Sequence, residues 1–231
     1  VFRRCLARAD RVFTVSRFLQ GRMADLFGVN PARMTVVGNG VEDVFGHSGP
    51  GGPSGSAGNP GPYVMVIAPL TARKGAPFVL AAAETMQKEL PSVRIQVAGG
   101  TKSEGQYLAE ASRRSNIDLL DYQDSTDLAS RLRSAVALLL LSHYETFGIP
   151  ALEDMAAGTP VIAARLGALP EVVGDAGILV DPSRPGDVSA AIRCLMDDRP
   201  FRQALIRKGL ARALENTWTS CARRVKESFQ L

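Results

Sequence analysis

From Tyr63 onward, apolar runs of strand length alternate with helical stretches, and this alternation limits the fold more than any other feature of the chain. YVMVIAPL (Tyr63–Leu70) and VALLLLS (Val136–Ser142) are continuous apolar runs. A strand exposed on one face would alternate apolar and polar residues, so continuous runs mean strands covered on both faces. Between and after them lie the helical stretches PFVLAAAETMQKEL, YLAEASRRS and DLASRLRSA and the strand-like VRIQVAGG, IDLLDY, VIAA and GILVD. The end reads as helical from about Arg184 to Phe229. Strands alternating with helices imply a parallel sheet built from right-handed crossovers. The fold class is therefore α/β: a Rossmann-like parallel sheet flanked by helices over residues 63–231. Aromatic residues make up only 6% of the chain, which also suits layers of this kind better than an all-β sandwich.

The earlier part is shorter and differently composed. RVFTVS (Arg11–Ser16) reads as a strand, and Ser16 caps a helix, RFLQGRMADLF, that stops at Gly28. MTVVGNGV (Met34–Val41) reads as a second strand ending in an Asn-Gly turn. Gly46 to Pro62 is a Gly/Pro/Ser tract with almost no apolar content, which reads as a linker. Residues 1–45, 46–62 and 63–231 are thus the expected units. A chain of 231 residues can supply one large domain, or one domain and part of another. It opens Val-Phe-Arg-Arg and is read as a fragment or a processed product.

Candidate site residues cluster where strands end. Glu145 follows the strand VALLLLS, Thr146-Phe147-Gly148-Ile149 leads into a helix, and Pro150 suits its first position. Glu153 is expected in the first turn, and Gly158 ends the helix. Backbone N–H groups beside a helix N-terminus favour anionic or oxygen-rich ligands. Glu145 could accept hydrogen bonds from sugar hydroxyls, and Glu153 from a ribose diol. Glu153 reads equally as an acid that complements the helix dipole, and Glu145 as a solvated loop charge. In APLTARKGAP, Arg73, Lys74 and Gly75 stand between a buried strand and a helix. Two cations at a helix N-terminus oppose its dipole unless an anion such as a diphosphate sits there; the other reading is a solvated basic turn. Glu171 reads as a dipole-complementing acid, and Trp218 as a core residue on helical spacing with Ala222 and Val225.

Other chemistries find little support. Cys5, Cys194 and Cys221 share no metal or redox spacing, and His47 and His143 form no cluster, so no metal site is expected. The net charge of +4 is scattered and no aromatic-basic motif accompanies it, which argues against nucleic acid as a partner. No stretch reaches the roughly 18 apolar residues of a membrane span. The expected location is the cytoplasm, with peripheral contact at the inner face of the membrane left open. A dinucleotide enzyme is disfavoured because no GxGxxG follows the first strand of the domain.

The stretch E-TFGIPAL-E followed by DMAAGTPV resembles the glutamate pair of retaining GT-B glycosyltransferases (group 1, family 4-like), chiefly their C-terminal donor-binding domain. The likeness continues through GALPEVVGDAGILVDP and NTWTSCA. ADRVFTVSRFLQGRM and VVGNGVEDVF resemble the tail of that family's N-terminal acceptor domain and its crossover. The resemblance implies a GDP-sugar or UDP-sugar donor, no further cofactor, and transfer of a hexose to a glycan or lipid-linked acceptor. Glu145 would hold the sugar with the N–H groups of Thr146, Phe147 and Gly148, within a donor-contacting stretch that includes Ile149. Glu153 would bind the ribose, Lys74 the diphosphate, and the base would lie near Tyr122 and Gln123. The family's usual arginine, five residues before the lysine, is Pro69 here, and Arg73 is the substitute. Most of the N-terminal Rossmann domain is missing from the chain, so the fragment is expected to bind donor but to transfer poorly or not at all by itself. A nucleotide-sugar-binding module without activity of its own is the alternative.

Overall fold

The computed structural model describes residues 2–42, 45 and 61–229. Most of the Gly/Pro/Ser tract, and with it the expected linker, lies outside the described residues.

Helix α1 (Phe2–Arg8) precedes strand β1 (Val12–Thr14), helix α2 (Arg17–Phe27) and strand β2 (Met34–Val36). β1 and β2 form a small parallel pair, with Val12 opposite Met34. The caps of α2 are as expected: the Ser16 hydroxyl accepts from the Leu19 N–H, and Gly28 closes the helix in the left-handed region. β2 is shorter than expected, because β1 offers it only three partners. The chain then turns at Gly38, and Val41 forms an isolated bridge to Thr217. Gly40 is needed there, since a Cβ would come within 2.2 Å of the Trp218 backbone nitrogen.

The large sheet holds β3 (Tyr63–Ile67), β4 (Arg94–Ala98), β5 (Ile117–Leu120), β6 (Ala137–Leu140), β7 (Val161–Ala164) and β8 (Ile178–Val180). Their order is β5-β4-β3-β6-β7-β8, and every pairing is parallel. Helices α3 (Ala76–Glu89), α4 (Gly105–Ser112), α5 (Ser125–Ser134), α6 (Ile149–Ala157), α7 (Leu169–Val173), α8 (Pro185–Asp197), α9 (Arg199–Glu215) and α10 (Trp218–Phe229) complete it. Two apolar clusters sandwich the sheet. One gathers Val64, Leu80, Ile95, Leu139 and Ile192; the other gathers Met65, Leu132, Leu138, Leu152 and Ala213. Alternate residues of β3 and β6 feed opposite clusters, which is why both strands are apolar throughout.

Trp218 departs from expectation: it is 52% exposed. At the first position of α10 it is the backbone, not the ring, that packs on Gly40, and Cys221 is the buried residue of that helix.

Candidate functional site

The strand order reverses between β3 and β6, which lie side by side although three helices and two strands separate them in sequence. Loops leaving the carboxyl ends of such a pair form the crevice where open α/β sheets bind ligands. Here those loops are 68–75 and 141–148, the two that carry the cationic turn and Glu145.

The main chain locks them together. Gly75 has φ +77°, and a Cβ there would lie 2.0 Å from the Leu141 carbonyl oxygen. The His143 N–H donates to the Arg73 carbonyl at 3.1 Å. In this register Lys74 Nζ meets Glu145 Oε1 at 2.7 Å, and Glu145 is only 9% exposed. On its other side Glu145 is braced by Gly167 and Ala168. The Ala168 N–H donates to the Glu145 carbonyl at 3.0 Å, and a Cβ on Gly167 would approach that oxygen to 2.8 Å. The N–H groups of Thr146, Phe147 and Gly148 have no hydrogen-bond partner among the described residues. Gly148 holds φ +103°, and a side chain there would strike Leu169.

Glu153 is the fifth residue of α6, beyond the first turn in which it was expected, so the helix dipole gives it little. Its carboxyl is pushed up to about 7, first by burial and then by the nearby charge of Glu42. It lines a cavity of about 330 Å³ together with Pro69, Lys102, Tyr122, Gln123 and Phe45. Tyr122 is 77% exposed. The Gln123 side-chain oxygen accepts from Arg131 Nε at 2.9 Å. Three of the expected residues, Glu153, Tyr122 and Gln123, thus come together, and the loop that brings Pro69 to this cavity also brings Lys74 to Glu145.

Other expected residues sit elsewhere. The Arg73 side chain is exposed and lines no described cavity; its carbonyl is the part that serves the loop. Phe147 is 7% exposed and Ile149 half-buried, and both pack into the core under the loop. Apolar side chains at a helix start fall toward the sheet, which leaves the backbone as the polar part that these residues offer a ligand. Phe147 also borders a second cavity, of about 410 Å³, with Arg17, Glu171, Arg212, Asn216 and Arg224.

Two residues carry more than their sequence context suggested. Asp154 is fully buried, neither carboxylate oxygen has a partner among the described residues, and burial pushes its carboxyl well above the usual range. Glu171 does lie in the first turn of α7, but its carboxylate accepts from the backbone N–H groups of Arg17 and Phe18, at 2.9 and 3.1 Å. It caps α2, an element 154 residues earlier. The Ser16 hydroxyl donates to the Thr146 carbonyl at 2.6 Å, and Phe18 packs edge-on against Tyr144. The N-terminal segment is therefore docked on the loop that carries Glu145.

The family described as glycosyl transferases group 1 matches residues 55–212, more than half of the chain, and glycosyltransferase family 4 matches residues 1–45. The chain belongs to the group 1 glycosyl transferases. D-inositol 3-phosphate glycosyltransferase of Segniliparus rotundus is 30% identical to it over 97% of this chain and 53% of its own length. Glycogen synthase of Mycobacterium tuberculosis is 30% identical over 82% of this chain and 46% of its own. The chain thus spans about half the length of these relatives. Among solved structures, sucrose-phosphate synthase from Thermosynechococcus elongatus superposes with a TM-score of 0.81 at 21% identity, covering 99% of this chain and 60% of that one. Anabaena Alr3699/HepE in complex with UDP and glucose gives 0.83 at 18%, covering 98% and 64%. The architecture is that of GT-B glycosyltransferases, with the large sheet as the C-terminal half. No described helix is long and apolar enough to cross a membrane.

Proposed function

We propose that this chain is the donor-binding part of a retaining glycosyltransferase that transfers a hexose from a UDP-sugar or GDP-sugar to a glycan or lipid-linked acceptor. The observation that carries the reading is the Lys74–Glu145 pair at the switch point, joined to the cavity of Glu153 by the loop 68–75, which carries both Lys74 and Pro69 of the cavity wall. Glu145 and the open N–H groups after it would hold the sugar hydroxyls. Lys74, with Arg73 beside it, would stabilise the charge that gathers on the leaving diphosphate, which is the main electrostatic contribution available here. Glu153 would take the ribose diol, and the base would lie by Tyr122 and Gln123. The relative whose structure holds UDP and glucose supports this class of donor.

Because the chain spans about half of its relatives, most of the acceptor-binding domain would come from sequence beyond it, and the chain by itself would bind donor without efficient transfer. Calorimetric titration with UDP and GDP tests the reading. Binding of one of them is expected, weakened about tenfold or more in Glu153→Ala and Lys74→Ala, as for lost hydrogen bonds to charged groups. Unchanged affinity in both variants would refute it.

A further inference from the structure

We infer that the turn 99–103 is a third arm of the nucleotide cavity and that Lys102 binds the phosphate next to the ribose. This rests on the nucleotide-sugar reading and adds a residue that neither the glutamate spacing nor the Arg73-Lys74 turn contains.

The turn is built to hold its place. Gly99 takes the left-handed conformation at φ +74°, and its N–H donates to the Asp121 carbonyl at 3.3 Å, beside Tyr122 and Gln123. Ser103 faces the other wall: its hydroxyl accepts from the Leu70 N–H at 2.8 Å and donates to the Gly100 carbonyl at 2.5 Å. The Glu104 N–H returns to the Leu70 carbonyl at 3.1 Å. Lys102 is thus suspended between the loop of Pro69 and the loop of Tyr122. Among the residues lining the cavity it is the one cation, and Glu153 the one carboxylate. It forms no ion pair among the described residues. Lys74 is absent from this lining and faces Glu145. A nucleotide whose ribose sits on Glu153 therefore meets Lys102 with its first phosphate and Lys74 with its second. Ser103 is a positioning residue, since it ties Lys102 to the Leu70 backbone without lining the cavity.

The test compares nucleoside, monophosphate and diphosphate, in the uridine and guanosine series, on wild type, Lys102→Ala, Lys74→Ala and Glu153→Gln. For Lys102→Ala the monophosphate and the diphosphate should each weaken about tenfold, the loss of one charge-assisted hydrogen bond, with the nucleoside unchanged. For Lys74→Ala only the diphosphate should weaken, and Lys102→Arg should restore monophosphate binding. Monophosphate affinity unchanged in Lys102→Ala, or nucleoside affinity reduced as much, overturns the assignment. If Glu153→Gln still weakens all three ligands in that case, the wider reading survives alone; if wild type binds neither series, both fall together.

Discussion

Nucleotide binding should depend on pH through Glu153. Its carboxyl titrates at about 7 instead of 4.5, so near neutrality about half of the unliganded molecules hold it uncharged. A ribose diol offers two donors, and a carboxylate accepts both where a carboxylic acid would present a competing O–H. Binding therefore favours the ionised form, and the apparent dissociation constant equals the intrinsic one divided by the ionised fraction. With a midpoint of about 7, that fraction falls from about 0.9 at pH 8 to about 0.1 at pH 6, so affinity should drop about tenfold. The ligand complicates the profile, because a terminal phosphate also protonates near pH 6, with a second pKa of about 6. Glu153→Gln isolates the protein's part: it should bind more weakly at pH 8 and keep only the ligand's own slope. Glu42 is the second cause of the shift, so Glu42→Gln should move the midpoint downward. Calorimetry with UDP and GDP across neutrality measures all three proteins. Identical pH slopes in wild type and Glu153→Gln, or affinity rising as pH falls, would refute the reasoning.

Three further outcomes are expected. Asp154 is buried with its carboxyl titrating well above the usual range, so it stabilises the fold only while protonated, and stability is lost as pH rises from about 4 through the folded value; thermal melts should show Asp154→Asn gaining on wild type as pH increases, and a constant gap would contradict this. Gly75→Ala would force a Cβ against the Leu141 carbonyl at a left-handed φ, costing about 2 kcal/mol or more in urea denaturation and abolishing nucleotide binding; wild-type values in both assays would show that the turn is not fixed as described. Glu171→Ala removes the acceptor of the first two N–H groups of α2, worth about 1 kcal/mol, while Ser16 keeps its own cap bond, and amide exchange should rise in the first turn of α2 while the β3 core stays protected; unchanged exchange would mean the carboxylate holds nothing.

Much of this was legible in the residues, for reasons that are local. β3 and β6 announce themselves because a strand covered on both faces has no room for polar residues, and Ser16, Gly28, Pro150 and Gly158 mark their helix ends by side-chain and backbone chemistry alone. Glu145 and Lys74 could be nominated from their places after strands. Their meeting could not, since it depends on β3 lying beside β6, a sheet order that no window of sequence contains. Lys102 carries no mark in the sequence; the Gly99 and Ser103 hydrogen bonds place its turn between two walls. Glu171 reads as an acid serving its own helix, in whose first turn it does lie, because local pattern cannot reveal a partner 154 residues away. The N–H of Phe147 stays open, as the loop pattern leads one to expect, but that its ring packs into the core under the loop is a matter of burial that the motif does not contain.

The contact of Gly75 with the Leu141 carbonyl has a consequence for how such a site can change. Backbone against backbone sets the gap between Lys74 and the loop that carries Glu145, so that gap works as a ruler that side-chain substitutions cannot reset. On the donor-site reading proposed above, exchanging base-side residues such as Tyr122 or Gln123 would change which nucleotide is held, while the spacing from sugar to diphosphate would stay as the two main chains dictate.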